Sequence, residues 1–119
     1  MIPSLAGLDV QRYDGTRHNF KDNKGTVVFY LEQRTAVSIA LVGVPRGGNI
    51  QISAPEHDHD GLARIVYGET VGICDSGAGI SATRQLLAAA HNRGHSVLTK
   101  KGYLIANFST NDSISHVDT

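Results

Sequence analysis

The densest set of groups able to do chemistry is Glu56-His57-Asp58-His59-Asp60, a run of titratable side chains closed by Gly61. Imidazole nitrogens and carboxylate oxygens packed this closely suit a divalent transition metal. A His-x-His pair in an extended segment places both imidazoles on one side. Glu56, His57, His59 and Asp60 are the candidate metal ligands. A structural site needs about four ligands and a catalytic one about three plus water, so Glu69, Asp75 or His18 would complete it. Without a metal the same residues form a hydrated acidic loop. Nothing else in the chain calls for a cofactor.

A second constellation runs from Asp75 through Ser-Gly-Ala-Gly-Ile to Ser81. Backbone N–H groups of a glycine-rich turn at a helix start form a seat for phosphate or carboxylate. The candidate anion-binding residues are Ser76, Gly77, Gly79, Ser81 and Arg84, with Thr83 as a further hydroxyl. The Gly-Lys-Ser/Thr ending of a phosphate loop is missing, and no acidic residue stands about twenty positions on, as a dinucleotide site requires. The competing reading is that the glycines only let strand and helix pack closely.

Cys74 is the single cysteine, which excludes an intrachain disulfide and points to a reducing, cytoplasm-like compartment. A thiol before a helix start has its thiolate favoured by the dipole, while an apolar-flanked cysteine is as readily buried and inert. The segment Gly72-Ile-Cys-Asp-Ser-Gly-Ala-Gly resembles the strand–loop–helix opening of glutamate and aspartate racemases. That chemistry uses two cysteines, and this chain has one. The Cys-x5-Arg loop of protein tyrosine phosphatases is not met, since residue 80 is Ile. The acidic run also departs from cupins, which follow His-x-His with glutamate where Gly61–Arg64 stand, and from metallo-β-lactamase-like hydrolases, since Gly61 follows Asp60 where histidine is needed.

Charge carries more information in its distribution than in its total. Eleven basic residues balance eleven acidic ones. Glu56, Asp58, Asp60, Glu69 and Asp75 cluster with only Arg64 among them. From Ser76 to Asn111 there is no carboxylate, while Arg84, Arg93, Lys100 and Lys101 gather beside His91 and His95. Arg84, Arg93, His95, Lys100 and Lys101 are therefore the candidate partner-binding residues, facing an acidic protein surface or a phosphate backbone. A helix followed by a basic hairpin is similar in architecture to small RNA-binding toxins. Tryptophan is absent, which argues against a broad aromatic surface for stacking bases.

The elements that must position these groups are short strands and one helix. Ala82, Leu86, Ala89 and Ala90 share one helical face, and the spacing predicts a helix over about 81–93 with Ser81 as N-cap and Gly94 past its end. Thr26–Leu31, Ala36–Val44, Asn49–Ser53, Leu62–Tyr67, Ser96–Thr99 and Tyr103–Phe108 read as strands. The last two flank Lys100-Lys101-Gly102, a tight turn with a bulge. Glu32–Thr35 reads as a turn, and the polar stretch Arg12–Gly25 as a solvated loop. Residues 1–11 form an N-terminal arm, and 110–119 a polar, frayed tail with a short edge strand at Ile114–Val117.

These observations give an α+β fold, a mostly antiparallel sheet of about five strands with one main helix packed on it, in a single domain of 119 residues. No signal peptide or transmembrane segment is evident and no membrane partner is expected. With no complete catalytic set, the leading expectation is a small non-catalytic protein-interaction domain, such as an inhibitor, immunity-type partner or assembly subunit. Segregated charge also suits self-association into a homo-oligomer. Two alternatives stand beside it. One is a metal-binding module or metal-dependent enzyme at Glu56–Asp60; the other is a phosphate- or nucleic-acid-binding protein using Asp75–Arg84 and the basic helix-hairpin.

Overall fold

Strands alternate with tight turns until a single helix interrupts them. In chain order the elements are β1 (Thr16–Lys21), β2 (Val27–Gln33), β3 (Ile39–Val42), β4 (Asn49–Pro55), β5 (Ala63–Tyr67), β6 (Thr70–Cys74), α1 (Gly77–Asn92), β7 (Leu98–Lys100), β8 (Tyr103–Ser109) and β9 (His116–Val117). The structure, a computed structural model, describes residues 15–33, 39–42, 47–110 and 116–117. The expected arm at 1–11 lies outside the described residues, as does most of the tail after Thr110.

The fold is α+β, with the strands in the order β7-β8-β4-β5-β6-β1-β2-β3-β9 and every pairing antiparallel. The longest ladder joins β4 to β8, from Asn49↔Ser109 to Pro55↔Tyr103. Its two halves, β7-β8-β4-β5-β6 and β1-β2-β3-β9, meet through one pair, Lys21↔Ile73. The described strands number nine, against an expected sheet of about five built from six strand segments and an edge strand. Those not read as strands are β1, inside the expected loop at 12–25, and β6 before the helix; β9 falls within the edge strand expected at Ile114–Val117.

Turn chemistry explains the hairpins. Asp22 Oδ1 accepts from the backbone N–H of Lys24 and Thr26, each at 2.9 Å, and Gly25 takes φ +84°. This is an aspartate turn that shapes the β1–β2 connection. Between β7 and β8 the pair Lys100↔Tyr103 leaves only Lys101 and Gly102 in the loop, at φ +53° and +83°. Two positive φ values define the type I′ pattern, whose twist matches that of the strands. The register runs unbroken there, so no bulge forms at this turn; the irregularity falls between Phe20 and Lys21 instead.

Helix α1 begins four residues earlier than its alanine–leucine periodicity suggests. Ser76, not Ser81, is the N-cap, its Oγ accepting from the Gly79 N–H at 3.0 Å. The helix reaches Asn92, with Arg93 as C-cap and Gly94 at φ +92°. Ala82, Leu86, Ala89 and Ala90 are buried as their spacing requires, together with Ile80, Thr83 and Leu87. They pack on Ile50, Ile52, Ala54, Ile65, Ala106 and Phe108 of the sheet and on Phe20, Phe29 and Leu31 of β1 and β2, as one core. Each large apolar side chain buried there is worth about 1.5–3 kcal/mol of transfer free energy. Gly72 completes this packing, because a Cβ on it would stand 2.7 Å from Phe29 Cδ2.

Candidate functional site

The helix start is built for packing. A Cβ on Gly79 would collide with the Cys74 sulfur and come within 2.9 Å of Ser76 Oγ. Gly79 is thus required by the closeness of β6 to the first helical turn. A Cβ on Gly77 would meet open space. Ser76 already uses its oxygen on the cap, and Ser81 accepts from Gln85 Nε2 at 3.4 Å. Thr83 Oγ1 donates to the Gly79 carbonyl at 2.7 Å. Gly77 and Ser81 do line a cleft of about 530 Å³, with Ile80, Gly61 and Leu62. Asp58 and Asp75 line it too. An anion drawn to the helix start would face both carboxylates, which oppose it.

The acidic run lies across that cleft, held from three directions. Arg84 Nε donates to the Pro55 carbonyl at 2.9 Å, and its Nη1 meets Asp58 Oδ1 at 2.9 Å. The Glu56 N–H donates to the Gly102 carbonyl at 2.9 Å. Gly61, at φ +155°, lets the loop rest on the Tyr103 ring, whose hydroxyl a Cβ would strike. Between these anchors the chain turns, and His59 takes φ +70°. The segment is therefore not extended, unlike the backbone expected for the His-x-His pair. His57 is largely exposed and lies 3.9 Å from Glu56; His59, also exposed, lines the cleft with Asp58 and Asp75, and Asp60 faces solvent. Among the described residues no three His, Cys, Asp or Glu side chains gather around a common point.

Cys74 is buried, 3.5 Å from Ser76 Oγ. The buried His18 belongs to a separate network. Its Nε2 bonds Gln33 Oε1 at 3.2 Å, Gln33 Nε2 donates to Gln85 Oε1 at 2.8 Å, and Gln85 donates on to Ser81. An amide oxygen only accepts, so the imidazole donates here. This chain of side-chain bonds ties β1 and β2 to α1.

The basic strip is divided. Arg84 is committed inward to Pro55 and Asp58. Arg93 caps the helix, and His91 sits exposed in its last turn. His95 packs edge-on against Phe108, with ring centroids 5.7 Å apart. Lys100 and Lys101 go elsewhere, to an open cleft of about 490 Å³ on the sheet face away from α1. Arg64, Tyr103, Ile105 and Ser53 also line it, and Gly61 and Leu62 form the ridge shared with the acidic cleft.

Strand register explains this second cleft. Leu98 pairs with Ile105, Ile105 with Ser53, Ser53 with Arg64, and Arg64 with Ile73, one row across five strands. Opposed residues share a face, and the alternate row, Ala106, Ile52 and Ile65, is in the core. The outward row thus mixes apolar side chains with a cation, and Leu98 and Leu62 are 62% and 45% exposed. No carboxylate lines the cleft. Among the described residues Arg64, Lys100 and Lys101 have no ion-pair partner. Arg64 and Tyr103 escaped sequence reasoning, because Arg64 is the lone cation of an acidic segment. The alternation of Tyr103, Ile105 and Asn107 carried the signal.

Fold and site together define an α+β protein with one helix on an antiparallel sheet and adjoining acidic and cationic clefts at one end. No protein-family model, curated protein or solved structure matches the chain. No helix among the described residues is long and apolar enough to cross a membrane.

Proposed function

We propose that the protein is a non-catalytic interaction domain that docks an acidic protein segment on the outward face of β7, β8, β4 and β5. One observation carries this reading: Arg64, Lys100 and Lys101 line one open cleft, unpaired among the described residues and without a carboxylate beside them. Cations left without partners beside exposed Leu62 and the half-buried Ile105 suit an opposing surface of alternating carboxylates and apolar groups. The conformation of Lys101 supports the same reading. A lysine at φ +53° costs about 1–2 kcal/mol relative to the right-handed region, and asparagine or glycine would serve the turn better.

The test is binding of a labelled peptide alternating glutamate and valine, followed by fluorescence anisotropy. Its lysine-for-glutamate counterpart and a single-stranded oligonucleotide serve as rivals. The acidic peptide binds, more weakly as salt rises, and Lys100→Glu weakens it by about tenfold or more, equivalent to about 1.4 kcal/mol. Arg93→Glu, outside the cleft, leaves it nearly unchanged. Preference for the oligonucleotide would instead establish the phosphate-backbone reading.

A further inference from the structure

The acidic and cationic clefts are neighbours, and this adjacency names a partner. On one side of the Gly61–Leu62 ridge stand Asp58 and Asp75, with Asp60 exposed beside them. On the other stand Arg64, Lys100 and Lys101. Resting on the interaction reading above, we infer that the docked surface is a second copy of this chain, in a two-fold dimer with Leu62 near the axis. In this dimer the acidic cleft of each copy meets the partner's cationic cleft across the Gly61–Leu62 ridge, the one element the two clefts share. An interface of this isologous kind needs such a self-complementary patch. Leu62, 45% exposed between the two charge fields, then meets its own symmetry mate and loses its contact with water. The chain's charge balance of eleven basic and eleven acidic residues leaves little net repulsion between copies.

The experiment is light scattering on two charge-reversed variants, alone and mixed. One carries Lys100→Glu and Lys101→Glu; the other carries Asp60→Lys and Asp75→Lys. Asp58 is left in place because it holds Arg84. Wild type runs at twice the chain mass, each variant alone runs as a monomer, and their mixture returns to twice the chain mass. Mixing restores both contacts, since reversed acids meet reversed bases. Circular dichroism checks that each variant is folded, and Asp60→Lys alone replaces the double variant if Asp75→Lys disturbs the helix start. A wild-type dimer indifferent to both reversals would overturn the proposal. A monomeric wild type that still binds the acidic peptide through Lys100 would overturn self-pairing and leave the interaction reading standing. A monomer that binds no acidic peptide would remove both.

Discussion

Arg84 and Asp58 are joined at 2.9 Å, and through this contact the helix holds the acidic run in place. The guanidinium side chain is 23% exposed and the carboxylate 72%. Arg84 Nη2 is buried without a hydrogen-bond partner among the described residues. The two partners therefore contribute unequally. Most of the value lies in the Arg84 Nε bond to the Pro55 carbonyl, which is shielded, rather than in the ion pair, which water screens.

Arg84→Ala should lower stability by about 1.5–3 kcal/mol, the range for a hydrogen bond from a charged donor. Asp58→Asn should cost less than about 1 kcal/mol. Urea denaturation midpoints of the two variants test this ordering. Equal losses would place the weight on the ion pair instead.

The two glycines at the helix start should respond oppositely to alanine. Gly77→Ala meets open space and gains helix propensity, raising stability by about 0.4–1 kcal/mol. Gly79→Ala forces the Cβ onto the Cys74 sulfur and costs about 1–3 kcal/mol. Ser76→Ala removes the cap and costs about 1 kcal/mol. Thermal unfolding of the three variants checks the set. An anion site using both glycines would predict that phosphate stabilises the wild type, and that either alanine removes the effect.

Lys101→Asn should separate stability from binding. Asparagine tolerates positive φ, so the hairpin gains about 0.5–1 kcal/mol. The same change removes one cation from the cleft and weakens the acidic peptide. Paired melting and anisotropy measurements show whether the two move in opposite directions.

Replacing His57 and His59 by alanine together should cost no more than about 1 kcal/mol, most of it from placing alanine at the φ +70° of His59. Metal content of untagged protein, measured beside this variant, tests the alternative directly. About one equivalent bound by the wild type and lost in the variant would establish the metal-binding reading.

Helix α1 and the central strands were legible because their apolar spacing is regular: Ala82, Leu86, Ala89 and Ala90 in one case, Ile50 and Ile52 in the other. Strand β1 was hidden because its inward residues are His18 and Phe20, so a buried imidazole was counted among solvated charges. Strand β6 was hidden by Gly72, which takes an inward position but supplies no side chain to mark the alternation. The helix start was misplaced because Gly77 and Gly79 resemble a loop, while the close approach of Cys74 to the first turn explains Gly79. The cationic cleft needed the register itself. Arg64, Lys100 and Lys101 are separated in sequence and meet only through the pairing of β5, β4, β8 and β7.

Docking on the outward cleft is read residue by residue in amide spectra recorded during titration with the glutamate–valine peptide. Shifts should concentrate at Ser53, Leu62, Arg64, Lys100, Lys101 and Ile105, with the Lys21–Gly25 turn and the end of the helix at Arg93 unmoved. Shifts centred on Arg93 and His91, or no shifts at all, would rule out docking at this cleft.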